Sequence, residues 1–107
     1  MKYILIYKLD ELVKEKIING YMKDGFILCH EENNILLIKK DDDLIKDEEI
    51  YIKILFSNIK RNSLLKNKKL VIDLTKAFEY AKEHDVKSFD NKFLWFIRNI
   101  ITKEAIK

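Results

Sequence analysis

The sequence predicts an α+β fold, a small antiparallel sheet carried by residues 1–74 with two C-terminal helices from residues 75–107 packed on it. Three observations predict it. The chain opens on a segment with strand periodicity, two short apolar runs then follow with only two polar residues between them, and beyond Asp73 the apolar positions change to helical spacing. Nothing resembles a linker rich in Gly, Pro or Ser, an internal repeat or a low-complexity tract, so one domain spanning 1–107 is expected.

In the opening segment Tyr3, Leu5, Tyr7 and Leu9 alternate with Ile4, Ile6 and Lys8, and β-branched and aromatic residues dominate. This predicts a strand buried on both faces. Asp10 is placed to cap a helix whose apolar positions Leu12, Val13, Ile17 and Tyr21 follow, with Gly25 or Gly20 as its stop. Phe26 to Glu31 and Asn34 to Lys40, separated by Glu32 and Asn33, predict a hairpin.

Residues 48–60 fit two templates. Ile50, Ile52, Ile54 and Phe56 alternate, whereas Tyr51, Ile54, Leu55 and Ile59 fit a helix. The β-branched content favours a strand extending the hairpin into a meander. The helical alternative gives strand, helix, hairpin, helix and a strand at Lys69 to Leu74, which is the ferredoxin-like order.

Thr75 is a candidate cap for a short helix with Phe78 and Ala81 inward, and Ser88 or Asp90 for the last helix. A sheet apolar on both faces needs cover on both. The two C-terminal helices are expected to supply the second layer, with a second subunit as the alternative, so monomer and homodimer both remain.

Composition narrows the function classes. No run of 18 apolar residues occurs and Lys8 closes the first apolar stretch early, so neither a membrane span nor a signal peptide is expected, and a cytoplasmic location is. The net charge is +3, but it is carried by nineteen Lys and two Arg beside seventeen Ile, eight Asn and no Pro or Gln, an AT-rich coding bias that makes lysine partly a default. Basicity alone therefore does not identify nucleic-acid binding. Two glycines cannot build a phosphate loop, and one Cys with two His cannot supply the usual zinc sets. No metal site or cofactor is demanded. Cys29 and His30 are adjacent, so on a regular strand they point to opposite faces and form no dyad.

The candidate site is on the last helix. At about 100° per residue, Phe89, Phe93, Phe96, Ile97, Ile100 and Ile101 form one apolar arc, and Trp95, the only tryptophan, falls opposite it among Asn91, Lys92, Arg98, Asn99 and Thr102. An indole on a polar face is either covered by another layer of the fold or kept for a partner. Trp95 and Arg98 are the residue types most enriched at binding hot spots, and Asn91, Asn99 and Thr102 give a polar surround. The expectation is a non-enzymatic interaction protein that binds a protein or nucleoprotein. In length and composition it is similar to phage or mobile-element inhibitors such as anti-CRISPR proteins.

Two alternatives compete. Charge is segregated, with Asp41, Asp42, Asp43, Asp47, Glu48 and Glu49 in one stretch and Lys60, Arg61, Lys66, Lys68 and Lys69 in another. The stretches are placed to pair across the fold, or the basic one to contact a nucleic-acid backbone with Tyr3 or Tyr7 stacking on bases. In the ferredoxin-like order, Ile4-Leu5-Ile6-Tyr7 resembles the opening of the small CRISPR-associated (Cas2-type) and VapD nucleases. That resemblance implies a metal-dependent nuclease; separately, Asp10 and Asp73, each at a strand end, are placed either to converge on a metal ion or, as is favoured, to cap the helices that follow. Those families place an Asp directly after the hydrophobic run, where this chain has Lys8.

Overall fold

The protein is described by a computed structural model covering residues 1–40, 45–84 and 92–107. The element order is β1 (Lys2–Tyr7), α1 (Glu11–Lys23), β2 (Ile27–Glu32), β3 (Ile35–Lys40), α2 (Glu48–Arg61), a 3₁₀ turn (Ser63–Leu65), β4 (Leu70–Asp73), α3 (Thr75–Glu83) and α4 (Lys92–Ala105). The expected α+β fold forms, with a four-stranded sheet in the order β2-β3-β1-β4 and every neighbouring pair antiparallel. This is the ferredoxin-like order, not the meander.

The preference for a strand over residues 48–60 is overturned. They form α2, which buries Tyr51, Ile52, Leu55, Phe56 and Ile59, the one-sided set of a helix packed on a sheet. Its ends agree with the helix dipole, with Glu48 and Glu49 in the first turn and Lys60 and Arg61 in the last.

Local chemistry fixes the earlier elements. Gly25 ends α1 with φ of 92°, and the Gly25 and Phe26 amides donate to the carbonyls of Met22 and Tyr21. Tyr21 packs edge-on against Phe26 at 4.9 Å, so the chain leaves α1 through a Schellman turn closed by an aromatic contact. The β2–β3 turn falls at Asn33–Asn34, one residue later than expected, with φ of 51° and 60° that asparagine tolerates. Asp10 precedes α1 as expected, but its carboxylate makes no cap bond and instead pairs with Lys69 at 2.8 Å. Thr75 is the first residue of α3 and not its cap, and the Asp73 carboxylate takes the capping role by accepting from the Thr75 amide at 2.8 Å.

The two glycines carry opposite predictions. Gly20 lies within α1 with open space at the position of an added Cβ, so Gly20→Ala should stabilise by about 0.5–1 kcal/mol. Gly25→Ala meets only ordinary contact with Lys40 but forces an L-residue to positive φ, and should cost about 1 kcal/mol. Urea midpoints moving in opposite directions would check both.

Strand alternation divides the core. Tyr3, Leu5, Tyr7, Ile35, Leu37 and Ile72 face α2, α3 and α4. Ile4, Ile6, Leu36 and Ile38 face the other way, under Ile17, Ile18 and Tyr21 of α1. The C-terminal helices thus cover the face opposite α1, as expected, but share it with α2. The first large cluster is centred on aromatic rings: Tyr3 stacks on Phe78 at 4.0 Å, and Phe93 meets Phe78 at 5.5 Å and Tyr51 at 4.8 Å, both edge-on.

Placing α1 and α2 on opposite faces has a topological meaning. β1 to β2 and β3 to β4 each connect parallel strands across one intervening strand, in opposite directions from strands of opposite sense. Two right-handed crossovers would set both helices on one face, so one of the two connections is left-handed, against a strong general preference. The place beside α2 belongs to α4, whose Phe93 packs on Tyr51.

Candidate functional site

α4 presents the face that its helical spacing predicts. Phe93, Ile97, Ile101 and Ala105 are buried against the sheet layer, which turns Trp95 outward. The indole is 56% exposed, touches Phe96 edge-on at 5.1 Å and leaves most of its surface to solvent. Arg98 and Thr102 are also exposed, one and two turns further along the same side. Asn99 is partly engaged, since its side-chain amide donates to the Trp95 carbonyl at 2.8 Å. Asn91 lies outside the described residues, as do Phe89, Ser88 and Asp90.

Beside this face α2 and α4 enclose an open groove of about 520 Å³, lined by Asn58, Arg61, Asn62, Leu94, Arg98 and Thr102. Its cations are the only two arginines of the chain. Arg98 reaches across to donate to the side-chain amide oxygen Oδ1 of Asn58 at 3.5 Å, a long contact that leaves most of the guanidinium donors to solvent. Arg61 also lines a second groove of about 360 Å³, between α2 and the edge strand β2, with His30, Glu32, Lys53, Phe56, Ser57 and Lys60. The two grooves therefore meet at Arg61.

The basic segment is not held as one surface. Lys60 hydrogen-bonds Glu32, which holds that carboxyl below its ordinary range, and Lys69 is paired with Asp10. Lys66 is exposed and Lys68 half-buried, both beyond the 3₁₀ turn. Of this segment it is Arg61 that joins Arg98 and Thr102. The acidic stretch does not pair with it: Asp47 to Glu49 sit at the N-terminus of α2 and Lys60 and Arg61 at its C-terminus, about 20 Å away over 14 residues, and Asp41 to Asp43 lie outside the described residues. Tyr3 and Tyr7 are buried under the helices, so neither is placed to stack on a base.

The remaining chemistry-bearing residues are structural in their surroundings. A β-bulge at Cys29 interrupts the β2–β3 register, so Cys29 and His30 both face the α2 side and not opposite faces. The Cys29 thiol lies 3.8 Å from Glu48, and burial together with that carboxylate pushes its pKa up to about 11 against partial relief from Lys39. His84 stacks on Tyr80 at 3.9 Å, with its ring nitrogen on the Tyr80 carbonyl. A thiol held protonated beside a carboxylate is a poor nucleophile. At pH 8 the native protein should react with iodoacetamide roughly 100-fold more slowly than the urea-unfolded chain, from the lost thiolate fraction alone.

Asp10 and Asp73 do not converge. Asp73 pairs with Ile4 near the start of β1, whereas Asp10 follows the end of β1, which separates them by more than about 10 Å along the strand. Antiparallel β1 and β4 send their C-terminal ends in opposite directions, so the carboxylate pair at strand ends is not assembled. Among the described residues no group of three or more His, Cys, Asp or Glu side chains is placed to hold a metal ion.

With this geometry in hand, family models, curated proteins and solved structures were compared with the chain. None matches. Among the described residues no helix is long and apolar enough to cross a membrane.

Asn58, Asn62 and Leu94 are the groove residues that sequence reasoning missed. Their signal was the helical template of residues 48–60: once that stretch is wound as α2, Asn58, Arg61 and Asn62 fall on one side of its C-terminal turn.

Proposed function

We propose that this chain is a small non-enzymatic interaction protein that binds another macromolecule through the face of α4 carrying Trp95, Arg98 and Thr102 and the groove beside it. The observation that carries the reading is the exposure of the lone indole, 56% open to solvent on a helix whose opposite side is buried. Exposed tryptophan beside arginine is the composition of an interface anchor, since both types are enriched at hot spots and the indole gives large contact area with two side-chain torsions. The phage and mobile-element inhibitors that it resembles in size and composition are the first class of activity to assay.

The free protein should show red-shifted indole emission that acrylamide quenches readily. Trp95→Ala should leave stability within about 1 kcal/mol, because more than half of the residue is open to solvent, while lowering partner affinity by about 2 kcal/mol or more. Immobilised wild type, Trp95→Ala and the control Lys16→Ala, exposed on α1 across the sheet, would be compared for the macromolecules each retains. The reading fails if the free indole is blue-shifted and protected, or if Trp95→Ala retains everything the wild type does.

A further inference from the structure

We infer that the groove between α2 and α4 is a site for a single-stranded nucleic acid, with Trp95 as the stacking platform at its rim and Arg61 and Arg98 on the phosphates. The inference rests on the reading of Trp95 as a contact surface and names what occupies it.

Charge complementarity is the first argument. The two grooves that meet at Arg61 carry Lys53, Lys60, Arg61 and Arg98 against one carboxylate, Glu32, and that carboxylate is already bonded to Lys60. Arg61 has no side-chain partner among the described residues, and Arg98 has only its long contact to Asn58. Two guanidinium groups left this open in the lining of one groove keep their donors available to anionic oxygens. In a chain with nineteen Lys and only two Arg, their meeting in one groove is not a by-product of lysine abundance.

The lining then separates the two anionic macromolecules. The centre of a protein–protein contact is apolar, with arginine retained but lysine and the acids depleted. Here Leu94 is the one apolar side chain among Asn58, Asn62, Thr102 and the arginines. Amides and a hydroxyl beside cations match the polar, positively charged interfaces made with nucleic acid, where they reach base edges and sugar.

Strandedness follows from Trp95. In a duplex the base faces are occupied by their neighbours, whereas a single strand offers each base to an aromatic ring, and a cationic groove beside that ring suits a backbone lying along it. Phosphates along the two grooves with one base on the indole is the arrangement that uses Arg61, Arg98 and Trp95 together.

The test titrates the full chain with a roughly 12-nucleotide oligothymidylate and the matching oligouridylate. Anisotropy and indole emission are followed between about 50 and 200 mM salt. Binding should quench the single tryptophan. Trp95→Ala should weaken it roughly 10-fold or more, with Trp95→Phe retaining part of the loss. Arg61→Ala and Arg98→Ala should each reduce the slope of log K against log salt by about 0.7, and Lys16→Ala, on α1 across the sheet, should change neither quantity. A duplex of the same length that binds as tightly while leaving the emission unchanged overturns the inference. So does absence of oligonucleotide binding together with binding of polyglutamate that depends on Arg61 and Arg98, which would mark an acidic protein partner and leave the proposed function standing. An indole shielded from acrylamide in the free protein would overturn both.

Discussion

Phe78→Ala is expected to lower the unfolding free energy by about 3 to 5 kcal/mol, the range for emptying a buried aromatic site that cannot collapse. Phe78 is fully buried on α3, its ring lies parallel to Tyr3 of β1 at 4.0 Å, and its other side takes the edge of Phe93 from α4. Truncation therefore removes the contact that ties two helices to the central strand. A domain of this size has about 5 to 15 kcal/mol in all, so the variant should be substantially unfolded at modest urea. Equilibrium urea denaturation followed by circular dichroism would show the midpoint falling at an unchanged slope. Phe78→Leu fills most of the volume and should lose well under half as much. A loss below about 1 kcal/mol for Phe78→Ala would mean that α3 does not sit on the sheet as described.

Glu48→Ala should be the next most damaging change, at about 2 to 3 kcal/mol. Glu48 is the first residue of α2, its side chain only 21% exposed, with both carboxylate oxygens 2.9 Å from the Lys39 ammonium on β3 and the Tyr3 hydroxyl of β1 donating to one of them. One side chain thus joins the positive end of a helix to two central strands, and its thiol contact adds the bulge of β2. Alanine would leave the Lys39 ammonium and the Tyr3 hydroxyl short of water and of their partner. Glu48→Gln keeps the shape and an acceptor for Tyr3 and should cost less. In Glu48→Gln the Cys29 thiol also loses the negative neighbour that helps raise its pKa, so its alkylation at pH 8 should accelerate while burial still holds it slower than the unfolded chain. Alkylation unchanged by Glu48→Gln would contradict that contact.

Much of this fold can be read from the residues, and the failures have definite causes. β1 is legible because Tyr3 to Tyr7 form an unbroken apolar run rich in β-branched and aromatic residues, although the strand stops at Lys8 with φ of 52° and not at Leu9, and the end of α1 because Gly25 is the residue that a left-handed stop requires. The outward turn of Trp95 follows from helical geometry alone, as the burial of Phe93, Ile97 and Ile101 fixes the opposite side. Residues 48–60 misled because four β-branched or aromatic residues at period two also fit a helix buried over a wide arc. There the charge order, acids first and bases last, was the better guide. The bulge at Cys29 and the ion pair between Asp10 and Lys69 depend on partners far away in sequence and leave no local mark. The groove failed with α2, since Arg61 meets Arg98 only after residues 48–61 are wound into a helix that lies beside α4.

The solitary position of α1 has a dynamic consequence. None of its residues is fully buried, and Leu12 and Val13 point into water, so α1 is held on the sheet through Ile17, Ile18 and Tyr21. Its amide protons should therefore exchange with deuterium well before those of β1 and β3, through openings that leave the sheet intact. Each such opening bares Ile4, Ile6, Leu36 and Ile38 together, a wholly aliphatic plane that makes transient fraying of this one helix the route by which the molecule would begin to self-associate on heating.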